Sequence, residues 1–225
     1  HLNLEYLNSY PTADTPVSFD KEGNIISIFK DEAWDFSHYC LNPYNTGIIS
    51  FKNIFKKTNK NLLHKIIHEY KIIAYGLIYY NTNSSKQPSI ETIINANLGY
   101  IRKIFLLCID SNSTLSNISE NRLLVKKLFY YLSNVDLDTY NKIALMLKRL
   151  SSISTIYTHN NFSLSNDQFI ELEKIKRNLV RIPPIQHLVI PTNIYLKLSV
   201  FLDTKINDFT IHLDKILDVV NKISD

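Results

Sequence analysis

The chain has 225 residues, of which 45% are hydrophobic, 20% charged and 12% aromatic. This composition is typical of a globular protein. It excludes a disordered chain, which would have a smaller fraction of hydrophobic residues and a larger net charge. Two cysteines, Cys40 and Cys108, exclude a disulfide framework. Four glycines without a Walker or dinucleotide fingerprint exclude a Gly-rich nucleotide-binding fold.

The termini and the hydropathy of the chain bear on its location. No apolar run approaches the ~20 residues that span a bilayer, and the first residues lack a cationic, apolar leader. We therefore expect a soluble, cytoplasmic protein with no membrane partner. The chain opens with His1 instead of Met, which indicates a piece of a longer protein.

The charge is unevenly distributed along the chain. The formal net charge is +4, but residues 1–35 hold seven acidic residues against Lys21 and Lys30, a balance of −5 that leaves +9 for the remainder. An acidic front and a basic body are typical of a protein that meets a polyanion on one surface. The alternative is that the lysines only solvate helix faces.

The first third of the chain predicts a small β element. Residues 16–29, PVSFDKEGNIISIF, alternate apolar and polar residues around a turn in which Gly23 can take a positive φ, as in a β-hairpin. Asp35 or Ser37 is placed to cap a short turn after Trp34, and Ile48 to Phe51 predict another strand.

From Asn59 onward the apolar spacing is helical. It predicts helices over residues 61–80, 89–109, 120–133, 137–150 and 166–180, with Ser89 and Asp136 as helix starts. Residues 151–165 are rich in Ser, Thr and Asn and predict a loop. After the consecutive prolines that follow Arg181, a helix is predicted from Thr192 to about Leu202, and a last amphipathic helix over Ile206 to Ile223.

These elements predict a mainly α protein: a small N-terminal β-hairpin element followed by a multi-helix bundle. We expect a β-containing module over 1–57, a helical domain over 58–155 and a helical extension over 156–225.

Residues that would support catalysis are scarce. His64 and His68 lie four apart on one helix face, but the helical zinc-protease pattern needs Glu directly after the first histidine, where this chain has Lys65. There is no GxSxG nucleophile elbow. Asp138 follows Asp136 at a helix start, where carboxylates usually act as caps. We expect no metal, no cofactor, no small-molecule substrate and no catalysis by this chain, although an unrecognised hydrolase stays an open third alternative.

The helix over 89–109 carries the most informative polar residues. Thr92, Asn95, Gly99 and Arg102 share the face opposite the apolar stripe, and Lys103 flanks them. Such side chains bind phosphate oxygens or base edges, and Gly99 would allow close approach. The equally weighted alternative is that another helix packs against Gly99 and that the polar face is only solvated.

The next two helices add cations. Lys126 and Lys127 stand beside Phe129, Tyr130 and Tyr131, an alternation that suits phosphate contacts combined with aromatic packing. Lys148 and Arg149 fall outside the apolar face of their helix. Consecutive short helices with basic faces are typical of an all-α DNA-binding bundle.

The order of these elements resembles a known family. DKEGNIISIF running into DEAWDFS, then ISF and a Lys-rich helix, resembles the N-terminal half of large tyrosine recombinases, the phage-type integrases of bacterial mobile elements. PSIETIINANLGYIRKIF resembles the first helix of their SAM-like core-binding region. QHLVIPTNIYLKLSVFL resembles an IP-x-x-IY element that precedes their catalytic domain.

The resemblance implies a non-catalytic, DNA-engaging half of such an enzyme. In that family a C-terminal domain carries an Arg, a His-x-x-Arg pair and a nucleophilic Tyr, and no His in this sequence is followed three residues later by Arg. The resemblance implies double-stranded DNA as the partner, with possible self-association on DNA. The implied DNA-facing residues are Thr92, Asn95, Arg102 and Lys103, and the implied phosphate contacts are Lys126, Lys127, Lys148 and Arg149.

A second hypothesis belongs to another class. The terminal helix has apolar residues near heptad spacing and could make the chain a helical protein-interaction module that oligomerises through this helix.

Overall fold

The structure is a computed structural model that describes residues 10–40, 46–52, 59–80, 89–181 and 192–224. It divides into two compact units, residues 1–182 and 183–225. The chain is mostly helical with a small antiparallel hairpin, which confirms the predicted class of a mainly α protein with a small β element.

The N-terminal part contains two short antiparallel pairs. Strands β1 (Pro16–Phe19) and β2 (Ile25–Ile28) form the predicted hairpin. In its turn, Asp20 Oδ1 accepts hydrogen bonds from the backbone N–H groups of Glu22 and Asn24, at 2.9 and 2.7 Å, and Gly23 has φ +89°. The predicted turn chemistry is therefore confirmed.

The second pair corrects part of the prediction. Strand β4 (Ile48–Ser50) lies at the predicted place, but it pairs with β3 (Ala33–Asp35), a strand that the sequence did not indicate. Only three residues form β3, too few for an alternation to be visible. Its position is fixed by Trp34, which is fully buried and packs edge-on against Phe51 with ring centroids 4.7 Å apart. The expected cap follows, since Asp35 Oδ1 accepts from the backbone N–H of Ser37 at 2.8 Å.

The β pairs are attached to helix α1 (Lys60–Tyr79) by buried polar groups. Lys71 donates from Nζ to the carbonyls of Phe29 (3.0 Å), Lys30 (3.1 Å) and Asp31 (2.7 Å), which tie the turn between β2 and β3 to the helix. The Tyr79 hydroxyl donates to the carbonyl of Val17. These bonds satisfy carbonyls that would otherwise be costly to bury.

The remaining helices of the first unit follow α1. They are α2 (Ile90–Thr92), a π-helical segment (Ile93–Asn97), α3 (Leu98–Asp110), α4 (Arg122–Ser133), α5 (Leu137–Ile156) and α6 (Asn166–Arg181). Ser89 and Asp136 act as the predicted N-caps and accept from the backbone N–H groups of Thr92 and Thr139. The predicted helices over 61–80, 89–109, 120–133 and 166–180 are confirmed to within a few residues.

A buried carboxylate holds the connection between α3 and α4. Glu69 of α1 is 5% exposed, and its oxygens accept from the backbone N–H groups of Leu115 (2.7 Å) and Ser116 (3.0 Å) and from the Ser116 hydroxyl. Burial raises the pKa of Glu69, and the hydrogen bonds oppose that shift. The backbone N–H groups of this loop have no helix or strand carbonyl to donate to, and the Glu69 carboxylate accepts their hydrogen bonds instead.

The C-terminal end of α5 differs from the prediction. Helix α5 continues through residues 151–156, which were expected to be a loop because they are rich in Ser and Thr. Ile153 explains the extension, because it is 3% exposed and faces Gly76 of α1. The burial of one isoleucine outweighs the weak helix propensity of its neighbours.

The second unit contains helix α7 (Thr192–Ser224), one helix where two were predicted. The residues at the expected break, Asp203, Thr204 and Lys205, include neither Gly nor Pro, so nothing in them ends a helix. The consecutive prolines that follow Arg181 lie outside the described residues.

The expectation that no apolar run approaches the length of a membrane span needs one correction, because the described helical stretch Ile90–Asp110 is long and apolar enough when judged by length and composition alone. Its apolar side is buried in the core of the first unit, where Ile101, Ile104, Phe105 and Cys108 are at most 1% exposed. Core helices commonly have this composition.

Candidate nucleic-acid interface

The stretch from α2 to α3 places its predicted polar residues on the surface. Thr92, Asn95, Gly99, Arg102 and Lys103 are all exposed, and we call them the α3 polar face. At its N-terminal end, the Thr92 hydroxyl lies 3.0 Å from the Ser89 hydroxyl, which orders both side chains. The face therefore begins at a capped helix N-terminus, where backbone N–H groups and the helix dipole favour anions.

Gly99 lies in open space. A Cβ built on it would have no heavy atom within 4 Å, so no other helix of the described chain packs there. Packing of another described helix against Gly99 is therefore wrong, whereas the exposure of the polar residues agrees equally with the solvated face of the same alternative. The π-helical segment shifts the helical phase just before this glycine, and such segments are frequent at functional sites.

A tyrosine links two cations from different helices. The Lys103 Nζ lies 5.2 Å from the centroid of the Tyr100 ring, and the Lys142 Nζ of α5 lies 5.9 Å from the same centroid. Lys142 also forms an ion pair with Asp138, and hydrogen bonding to Asp138 raises its pKa. Tyr100 and Lys142 were not among the predicted contact residues, although Lys142, like Lys148 and Arg149, falls outside the apolar face of its helix. The ion pair of Asp138 and Lys142 could have been predicted from their i,i+4 spacing on one helix.

The predicted cations of α4 border an apolar recess of about 510 Å³. Lys126 is exposed, whereas the Lys127 Nζ donates to the carbonyl of Asp110 at the end of α3. The carbonyls at a helix C-terminus attract cations, and the Asp110 carbonyl takes one of the three N–H donors of the Lys127 ammonium group. The recess is lined by Leu107, Asp110, Leu123, Lys126, Lys127, Tyr130, Tyr131 and Asn134.

The two cations of α5 differ in exposure. Lys148 is exposed, whereas Arg149 is half-buried and its pKa is lowered by burial. Arg149 shares a helix stripe with Lys142, seven residues earlier, while Lys148 lies about 100° around the helix. The structure thus places Arg149, and not Lys148, on the side of α5 that carries Lys142.

The arrangement can be traced along α3. Lys103 and Asp110 are seven residues apart, about 10 Å along the axis, and Lys127 contacts the Asp110 carbonyl. Residues 90–156 hold eight Lys and Arg against five Asp and Glu, a balance of +3. Lys103 of α3 and Lys142 of α5 therefore lie together at Tyr100, and Lys127 of α4 lies at the C-terminal end of α3. Ammonium groups in such positions can accept phosphate groups.

The histidine pair has another environment. His68 Nε2 lies 3.0 Å from the Tyr10 hydroxyl, and its ring packs edge-on against Phe29, while His64 is exposed. Burial lowers the pKa of His68, with smaller contributions from the charges of His64 and Lys71. Among the described residues, no group of three or more His, Cys, Asp or Glu side chains is placed to hold a metal ion.

The two thiols are unpaired, and burial raises the pKa of Cys108 far above its usual range.

Comparison of the chain with protein-family models, with curated proteins and with solved structures found no match.

Proposed function

We propose that this chain is the DNA-binding N-terminal portion of a site-specific tyrosine recombinase of the integrase type, with a SAM-like core-binding region over its middle helices. The proposal takes the family from the sequence resemblance. It takes the contact surface from the α3 polar face and the cations around it. In this proposal the chain binds duplex DNA and does not itself cleave it.

The observation that carries the proposal is the exposure of the α3 polar face around an unobstructed Gly99. Hydroxyl, amide, guanidinium and ammonium groups are exposed along this stretch, and a helix backbone can approach a partner closely at the glycine. Arg102 has the geometry for bidentate recognition of guanine, and Lys103 supplies a phosphate contact beside it.

The surrounding cations extend this surface. Lys142 shares Tyr100 with Lys103, and the exposed Lys126 lines the same recess as Asp110 at the end of α3. We assign Lys126, Lys127 and Arg149 to phosphate contacts that position the duplex. Lys148 points about 100° away from that stripe, and we assign it a peripheral contact.

Salt dependence of duplex binding tests the proposal. Fluorescence anisotropy of a labelled 30-base-pair duplex should give a log–log salt slope of about −0.9 for each phosphate that is neutralised. Lys103→Glu should weaken binding about 10-fold at low salt, because one phosphate contact is replaced by repulsion.

The matched control is Lys174→Glu on α6. Lys174 is exposed and paired with Glu171, so its reversal changes the net charge by the same amount on another helix. We expect less than about a twofold effect from it, since it lies outside the proposed contact surface. Absence of duplex binding at low salt, or equal losses in the two variants, would contradict the proposal.

A further inference from the structure

Helix α7 exposes a heptad seam. From Leu202 onward its apolar residues alternate at spacings of four and three over three heptads. The described side chains of this seam are 36–79% exposed, with Ile223 the most exposed. The α7 seam consists of Leu202, Ile206, Phe209, Leu213, Ile216, Val220 and Ile223.

A long helix with an exposed apolar seam is favoured when a partner covers that seam. Helical stability in proteins comes mostly from packing of the apolar face, and a long amphipathic helix in water leaves that face unsatisfied. A seam that repeats every 3.5 residues fits a partner helix with the same repeat, because the two seams stay in contact as the helices supercoil.

We propose that the α7 seam pairs with the α7 seam of a second copy of this chain, as a two-stranded coiled coil. This inference goes beyond the proposed DNA-binding function and does not depend on it. A second copy of this chain carries the same sequence, so its heptad repeat necessarily matches that of the first copy.

The charges of α7 are compatible with self-pairing. The helix holds four lysines and four aspartates, so two copies meet without net repulsion. Helix α7 thus has no net charge, whereas residues 90–156 have a net charge of +3, which suits a polyanion. Leu217 and Val219 flank the seam and widen its apolar strip toward the C-terminus.

The area is sufficient for a specific interface. With roughly 200 Å² for each fully exposed large apolar residue, the described seam residues of one helix expose about 700 Å². Two copies would remove up to about 1,300 Å² from water, which exceeds the ~1,000 Å² expected of a biological interface.

Sedimentation equilibrium of the 225-residue chain without DNA tests this inference. Between about 1 and 200 μM we expect a dimer of twice the 26.2 kDa chain mass. Leu213→Asp, which puts a charge into the seam, should weaken dimerisation at least about 100-fold. Thr204→Asp places the same charge on the opposite side of the helix and should leave the dimer intact.

A second variant protects the test against misfolding. Ile206→Gln keeps a good helix former and should weaken dimerisation at least about 10-fold, with circular dichroism confirming unchanged helicity. A wild-type chain that stays monomeric throughout the concentration range would overturn the inference. So would equal association of Leu213→Asp and Thr204→Asp, because the contact would then lie elsewhere. Duplex binding plays no part in these readouts, so the two proposals can fail separately.

Discussion

Gly76 and Gly99 lie in different environments within helices, and the same substitution should change stability in opposite directions. A Cβ on Gly76 of α1 would lie 3.0 Å from Cγ1 and Cγ2 of Ile153 and 3.1 Å from its Cδ1. A Cβ on Gly99 of α3 would meet nothing within 4 Å. Gly76→Ala and Gly99→Ala therefore form a matched pair that separates helix propensity from packing.

The magnitudes follow from two opposing effects. Replacing a helical glycine by alanine stabilises a helix by about 0.5–1 kcal/mol, because the unfolded chain loses conformational freedom. At Gly99 this gain stands alone. At Gly76 it is opposed by an overpacking cost of about 1–3 kcal/mol, since Ile153 is buried and β-branched and its rotamer is stiff. We expect Gly76→Ala to be about 1 kcal/mol less stable than the wild type, and about 2 kcal/mol less stable than Gly99→Ala.

Urea unfolding followed by far-UV circular dichroism would measure both variants, with the slope of the transition checked for constancy. Ile153→Ala removes the side chain that the new Cβ would meet. Gly76→Ala should therefore cost less stability in the Ile153→Ala background than in the wild type, and this difference is the coupling free energy of the double-mutant cycle. If Gly76→Ala proved as stable as Gly99→Ala, the close contact between α1 and α5 would be refuted.

The buried polar groups give two more expectations. Glu69→Ala should lower the free energy of unfolding by about 2–4 kcal/mol, because it leaves the backbone donors of Leu115 and Ser116 without an acceptor, and Glu69→Gln should cost less. A denaturation midpoint unchanged in Glu69→Ala would contradict this role. Burial lowers the pKa of His68 below 6.5, so the unfolded chain binds more protons and stability falls as the pH drops below about 6.5. Between pH 7.5 and pH 5 the melting temperature should fall less for His68→Gln than for the wild type. The exposed His64 provides the control variant His64→Gln, which should behave like the wild type. Equal falls for His68→Gln and the wild type would show that His68 is not the source of the pH dependence.

The candidate interface shows what one helix can reveal. Residues at spacings of three and four share a face of a regular α-helix, so the sequence predicted that Thr92, Asn95 and Arg102 lie away from the apolar stripe, and each of them is exposed. The π-helical segment between Thr92 and Arg102, which shifts the helical phase, was not predicted. Contacts between helices do not follow from such spacing. The shared position of Lys103 and Lys142 on Tyr100, and the contact of Lys127 with the end of α3, depend on how the helices cross.

The buried charges show the same limit from another side. Glu69 and Lys71 are both buried, and carbonyls and N–H groups from distant segments of the chain are their hydrogen-bond partners. These partners lie about 40 residues away or more in the chain.

The sequence by itself determined the mainly helical class, the hairpin with its Asp20 and Gly23 turn, the helix caps and the polar face of one helix. All of these depend on neighbours within a few residues, where backbone geometry and side-chain hydrogen bonds decide the conformation. Only the tertiary structure decided the strand at Trp34, the end of α5 at Ile156 and the grouping of cations from three helices. Those features depend on burial and contacts between segments far apart in the chain, and such packing free energies outweigh local propensity.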